Sequence, residues 1–129
     1  MKLYCHANRK EKIRLDFRPC INTGENITWE EWNVAEPLVI FATDYDMLLP
    51  YFKEVFPLKD PTNDETQKSF DLCSHNWIGR DDWRHIIEHI KSDIVSKENG
   101  DEKRFFNQFV DWIESQLSWA DIIMVEGNL

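Results

Sequence analysis

The sequence predicts an α+β fold: a single globular domain over residues 1–129, with one mixed β-sheet and helices packed mainly on one of its faces. Three observations predict it. Apolar residues alternate with polar ones at period two near the N-terminus, they recur at helical spacing in two long segments of the C-terminal half, and a short apolar run, Ile122–Val125, follows the second of these. A chain of this size buries roughly two thirds of the surface its unfolded form exposes, so folding without a metal or a disulfide is expected. Hydrophobic residues at 42% and aromatics at 13% exclude intrinsic disorder.

Taken in order, Leu3 and Cys5 alternate with Lys2, Tyr4 and His6, as in a short strand. After a polar turn at 7–10, Ile13, Leu15 and Phe17 alternate with Lys12, Arg14, Asp16 and Arg18, a half-buried strand. The two are expected to form a hairpin with the basic charge on its outer face. Pro19 to Ile27 contains Asn-Thr-Gly and is expected to be a loop. Thr28 with Glu31 resembles a capping box and predicts a short helix over 29–35.

Leu38 to Ala42 is apolar on both faces, which predicts a central strand. Thr43 to Asp46 supplies helix-start residues, and a helix is expected to run to about Phe56, with Pro50 allowed only in its first turn. Residues 57–68 are expected to be a loop and the most mobile segment, and Phe70 to Ser74 a strand, with Trp77 in the loop beyond it. Trp83, Ile86, Ile87, Ile90 and Ile94 share a narrow arc at about 100° per residue, which predicts a helix over 80–95. A second helix is expected over 101–118, burying Phe105, Phe106, Phe109, Val110, Trp112, Ile113 and Leu117, and then a last buried strand over 122–125.

Charge separates the function classes. The net charge is −9, from 15 basic and 24 acidic residues. Residues 1–18 carry six basic and two acidic groups, whereas residues 19–52 carry six acids and neither Lys nor Arg. Residues 105–129 carry four acids, again with neither. Such a surface repels nucleic acid and anionic membrane and attracts basic proteins. Its expected contact residues are Trp29, Glu30, Glu31, Trp32, Glu36, Asp44 and Asp46, where an aromatic anchor would sit among carboxylates. No apolar run is long enough to cross a bilayer, and the first residues have no secretory leader pattern, so a cytoplasmic location is expected.

Catalytic chemistry is not expected. His85-Ile-Ile-Glu88-His89 matches the H-x-x-E-H pattern of a zinc protease, but the helical phase turns both His away from the apolar face, toward solvent beside Asp82 and Asp93. Cys5-His6 and Cys73-Ser74-His75 lack the paired spacing of structural zinc sites, so no metal and no cofactor is expected. Cys5, Cys20 and Cys73 are then small, reduced core residues. Acids around Cys73 disfavour a nucleophilic thiolate there, and the four glycines make no phosphate-cradling loop.

Two stretches, Phe70 to His89 (FDLCSHNWIGRDDWRHIIEH) and Ala120 to Leu129 (ADIIMVEGNL), together with the acidic charge and the six Trp, give the chain a resemblance to small bacterial immunity proteins. These neutralise polymorphic or contact-dependent growth inhibition toxins. The resemblance implies tight binding to one cognate toxin domain, often a basic nuclease, and no catalytic residues. The alternatives are a small acidic adaptor with another protein partner, and a hydrolase using the His85–His89 region.

Overall fold

The computed structural model describes residues 1–6, 12–22 and 36–129. Among these residues its main sheet has four strands. They are β1 (Arg14–Cys20), β2 (Leu38–Phe41), β5 (His75–Gly79) and β6 (Ile122–Gly127), in the order β2-β1-β6-β5. All three neighbouring pairs are antiparallel, and the parallel component is a single bridge from Lys2 to Val39. Between β2 and β5 lie two short helices, α1 (Ala42–Tyr45) and α2 (Leu49–Lys53), and a two-stranded hairpin of β3 (Leu58–Lys59) and β4 (Thr66–Gln67). Two long helices, α3 (Arg80–Ile94) and α4 (Gly100–Leu117), separate β5 from β6. This is an α+β architecture.

Alternation along the strands builds the core. Leu15 and Phe17 on β1, Leu38 and Ile40 on β2, Ile123 and Val125 on β6 and Ile78 on β5 share one face and one buried cluster with the helices. Phe17 sits at its centre, with ring centroids 5.9 Å from Phe52, 6.2 Å from Trp83 and 5.5 Å from Phe109. Full burial of such side chains is worth about 1.5–3 kcal/mol each. Trp83 would bury an unpaired N–H, but its Nε1 donates to the Ile123 carbonyl at 3.0 Å, binding α3 to the central strand. The opposite sheet face carries a smaller cluster of Cys20, Trp77, Ile122 and Met124, with Asp16 held by Arg14 and Arg18 beside it.

The long helices and the last strand match their expected spans closely. α4 begins where the Asn99 side chain accepts from the backbone N–H groups of Asp101 and Glu102. Pro50 lies in the first turn of α2, and the helix expected over this region is split into α1 and α2 at residues 46–48, just before it.

Four expectations are corrected. The segment around Leu3 does not pair with β1: its backbone bonds run to Val39, so it flanks β2. Among the described residues β2 has β1 on one side and that one bridge on the other, so it is not a central strand; β1 and β6 are. The strand expected at 70–74 begins five residues later, and Trp77 is buried within it. Residues 57–68 are not wholly loop, because β3 and β4 pair there. The helix expected over 29–35 lies outside the described residues.

Candidate functional site

The expected partner-binding residues do not share one environment. Trp29, Glu30, Glu31 and Trp32 lie outside the described residues. Glu36 is exposed and forms an ion pair with the Met1 amine. Asp46, just past α1, is exposed as well. Asp44 is corrected: it is only 1% exposed, so its carboxylate is not presented to a partner. Its position in α1, straight after β2, turns it inward against the N-terminal segment, where Oδ1 accepts the backbone N–H of His6 at 2.6 Å.

Folding also supplies counter-charge that the linear sequence hides. In the stretch beyond residue 104, Glu114 pairs with Lys91, Asp121 with Arg80 at 3.4 Å, and Glu126 with Arg18 at 3.3 Å. Exposed pairs of this kind are worth about 0–1 kcal/mol each, so they trim the surface charge more than they stabilise the fold. Asp46, Glu65, Asp71, Asp81, Glu88 and Asp111 are exposed and join no ion pair among the described residues.

The two stretches without Lys or Arg approach each other at the N-terminal segment. Met1, Lys2 and Leu3 line a shallow groove whose other wall is α4, through Gln108, Asp111, Trp112 and Ser115. Glu36 is bound to Met1 at the edge of this groove. Trp112 is half-buried there, not fully enclosed as its helical phase implies, with Met1, Lys2 and Leu3 on the facing wall. An amphipathic aromatic beside the Asp111 carboxylate, with Lys2 on the facing wall, suits an anchor for a protein partner. A larger groove of about 590 Å³ lies along β4 and the following turn, lined by Asp60, Glu65 and Asp71 but also by Lys53 and Lys68.

The three H-x-x-E-H residues do not converge on one point: both His approach Glu54 Oε2, and Glu88 lies apart from them. His89 Nδ1 lies 2.7 Å from Glu54 Oε2, and its Nε2 lies 3.4 Å from Asp93. Tyr51 donates to the same Asp93 carboxylate at 2.8 Å and packs edge-on against the His89 ring. His85 is more exposed and only reaches Glu54 at 4.0 Å. Glu88 lines a different groove, with Lys91 and Glu114. His89 is thus a clamp between α2 and α3, and not the fully solvated residue that the phase suggested. The Glu54 hydrogen bond raises its pKa, while burial and the Asp93 bond push Tyr51 up to about 12.

The cysteines also depart from expectation. Cys20 is buried and Cys5 half-buried, but Cys73 is exposed, in the turn before β5. Burial, then Asp44, Glu102 and Asp101, raises the Cys5 thiol pKa. Cys5, His6 and Asp44 bring a sulfur, a ring nitrogen and a carboxylate oxygen within 4.8 Å of one another, the one such trio among the described residues. Spacing rules miss it because two ligand types are adjacent in sequence and the third comes from another element.

Compared with known protein families, with characterised proteins and with solved structures, the chain matches none. Among the described residues, no helix is long and apolar enough to cross a membrane.

Proposed function

We propose that this protein is an immunity-type inhibitor that binds and neutralises a basic bacterial toxin domain, a nuclease in the first instance, through protein–protein contact. The observation that carries the reading is the surplus of surface carboxylate. The net charge is −9, and acids such as Asp46 and Asp111 stay exposed and unpaired among the described residues after the fold has made its ion pairs. A surface of one sign accelerates encounter with a partner of the other and disfavours wrong partners. The resemblance of residues 70–89 and 120–129 to immunity proteins supports the same partner class. The groove between the N-terminal segment and α4 is the proposed contact face, because Asp111 and Trp112 line it and Glu36 is paired with Met1 of the same lining.

The test is co-expression with the product of the gene immediately upstream. A product that is toxic alone, harmless with this chain, and recovered as a one-to-one complex is the expected result. A product whose toxicity is unchanged by this chain, with no complex formed, refutes the reading.

A further inference from the structure

We infer that Cys5, His6 and Asp44 form a binding site for a single transition-metal dication, with zinc the best fit. The first observation is the donor set. A thiol sulfur, an imidazole nitrogen and a carboxylate oxygen lie within 4.8 Å of one another, although Asp44 is far from the other two in sequence. In a tetrahedral zinc site, metal–ligand distances of about 2.0–2.3 Å place donors roughly 3.3–3.7 Å apart. The cluster therefore needs a contraction of up to about 1.5 Å, to which rotation of the exposed His6 ring contributes.

The second observation is independent of spacing. Asp44 is 1% exposed, and its Oδ2 has no hydrogen-bond partner among the described residues. Its other oxygen is fixed by the His6 N–H, which holds the carboxylate against the segment that carries Cys5 and His6. A buried carboxylate oxygen without a partner is costly, and a cation bound there removes that cost.

Donor chemistry narrows the metal. Calcium and magnesium select oxygen ligands, whereas a mixed sulfur, nitrogen and oxygen set suits the borderline-soft zinc ion. Three protein donors would leave a fourth tetrahedral position for a solvent molecule. The site is separate from the protein-binding reading and stands or falls without it. The core is large enough for the metal-free protein to fold, so the ion adds a tie between the N-terminal segment and α1 without being a condition of folding.

The experiment is titration of the purified full chain, without an affinity tag and in the presence of a mild phosphine reductant, with cobalt(II) and then zinc(II). One equivalent of cobalt should give a thiolate-to-cobalt charge-transfer band and tetrahedral ligand-field bands, both displaced by zinc. Cys5→Ser should abolish the charge-transfer band. Even outer-shell partners of a metal change affinity by about 10–100-fold, so His6→Ala should weaken binding by about tenfold or more. His6 is exposed, which makes this variant safe for folding, and Asp44→Asn serves as the second probe, with circular dichroism as the check on both. Cys73→Ser should change nothing. Absence of stoichiometric cobalt binding overturns the inference, and so does a band that survives His6→Ala with unchanged affinity, which would mark an isolated thiol.

Discussion

Gly127 lies with its Cα against the backbone of Leu72: a Cβ added at this glycine would stand 2.0 Å from the Leu72 carbonyl oxygen. The contact lets the turn before β5 lie on the end of β6, where Gly127 N–H donates to Ser74 and the Leu129 N–H to Leu72 itself. Gly127→Ala should therefore destabilise by about 3 kcal/mol or more, at or above the upper end of overpacking costs, because the obstacle is backbone and cannot rotate away. Gly100→Ala is the control. Nothing lies within 4 Å of that position at the start of α4, so the change should stabilise by up to about 1 kcal/mol. Urea denaturation midpoints at constant slope distinguish the two.

Asn76 holds the same turn from inside. It is fully buried on β5, and its Oδ1 accepts from Gln67 Nε2 at 2.8 Å and from the Asp71 N–H at 2.7 Å. Its Nδ2 donates to the carbonyls of Asp71 and Val125 at 2.8 and 2.9 Å. Asn76→Ala leaves the Asp71 N–H and the Asp71 and Val125 carbonyls without this partner, the last of them buried, and the expected loss is about 2–4 kcal/mol. Asn76→Asp should be no milder, because it replaces two donors with a buried negative charge facing carbonyls. Faster hydrogen exchange at the Asp71 amide, together with a lowered melting temperature, is the readout.

His89 makes stability pH-dependent. Its folded pKa is raised above the unfolded value of about 6.5, chiefly by the Glu54 hydrogen bond. A raised pKa means that the folded state holds this proton more tightly than the unfolded state. The contribution is therefore complete below the unfolded pKa and is lost as pH rises through the folded one. Glu54→Gln should bring the imidazole titration, followed by NMR, down toward the unfolded value and flatten the fall in stability above neutrality. An unchanged His89 titration in that variant would contradict the assignment.

Much of the fold is legible in the sequence because periodicity reports burial directly. The phase of Trp83, Ile86, Ile87 and Ile90 and the aromatic face of α4 need only the local chain to be read. Strand partners are not local. Nothing in residues 2–17 says that the first segment pairs with Val39 and not with β1, and LVIF has the same composition at an edge as in a centre. The shift of β5 has a chemical reason: Asp71, Cys73 and Ser74 are taken up by the turn that Asn76 organises, so alternation over 70–74 is turn geometry. The site is legible only in part. Asp44 looks like one more surface acid in an acidic stretch, and only the packing of α1 against the N-terminal segment reveals it as buried.

The partner face should respond to charge and to packing in different ways. Triple replacement of Glu36, Asp46 and Asp111 with Lys removes exposed acids while leaving the buried Asp44 in place. Exposed charges contribute about 0.2–1 kcal/mol each, so the cognate partner should bind roughly tenfold more weakly. The loss should fall mainly on the association rate, and the salt dependence should shrink with it. Trp112 is different in kind, because its ring partly packs on the core and partly lines the groove. Trp112→Ala should raise the dissociation rate, with a loss of about 2 kcal/mol or more if the ring is a central anchor. Thermal melting of the free variant separates that loss from damage to the fold. Stopped-flow association across a salt series, followed by dissociation of the preformed complex, measures both effects. If the triple variant keeps the wild-type rate and salt slope, the contact lies elsewhere, and Asp60, Glu65 and Asp71 beside β4 become the residues to reverse next.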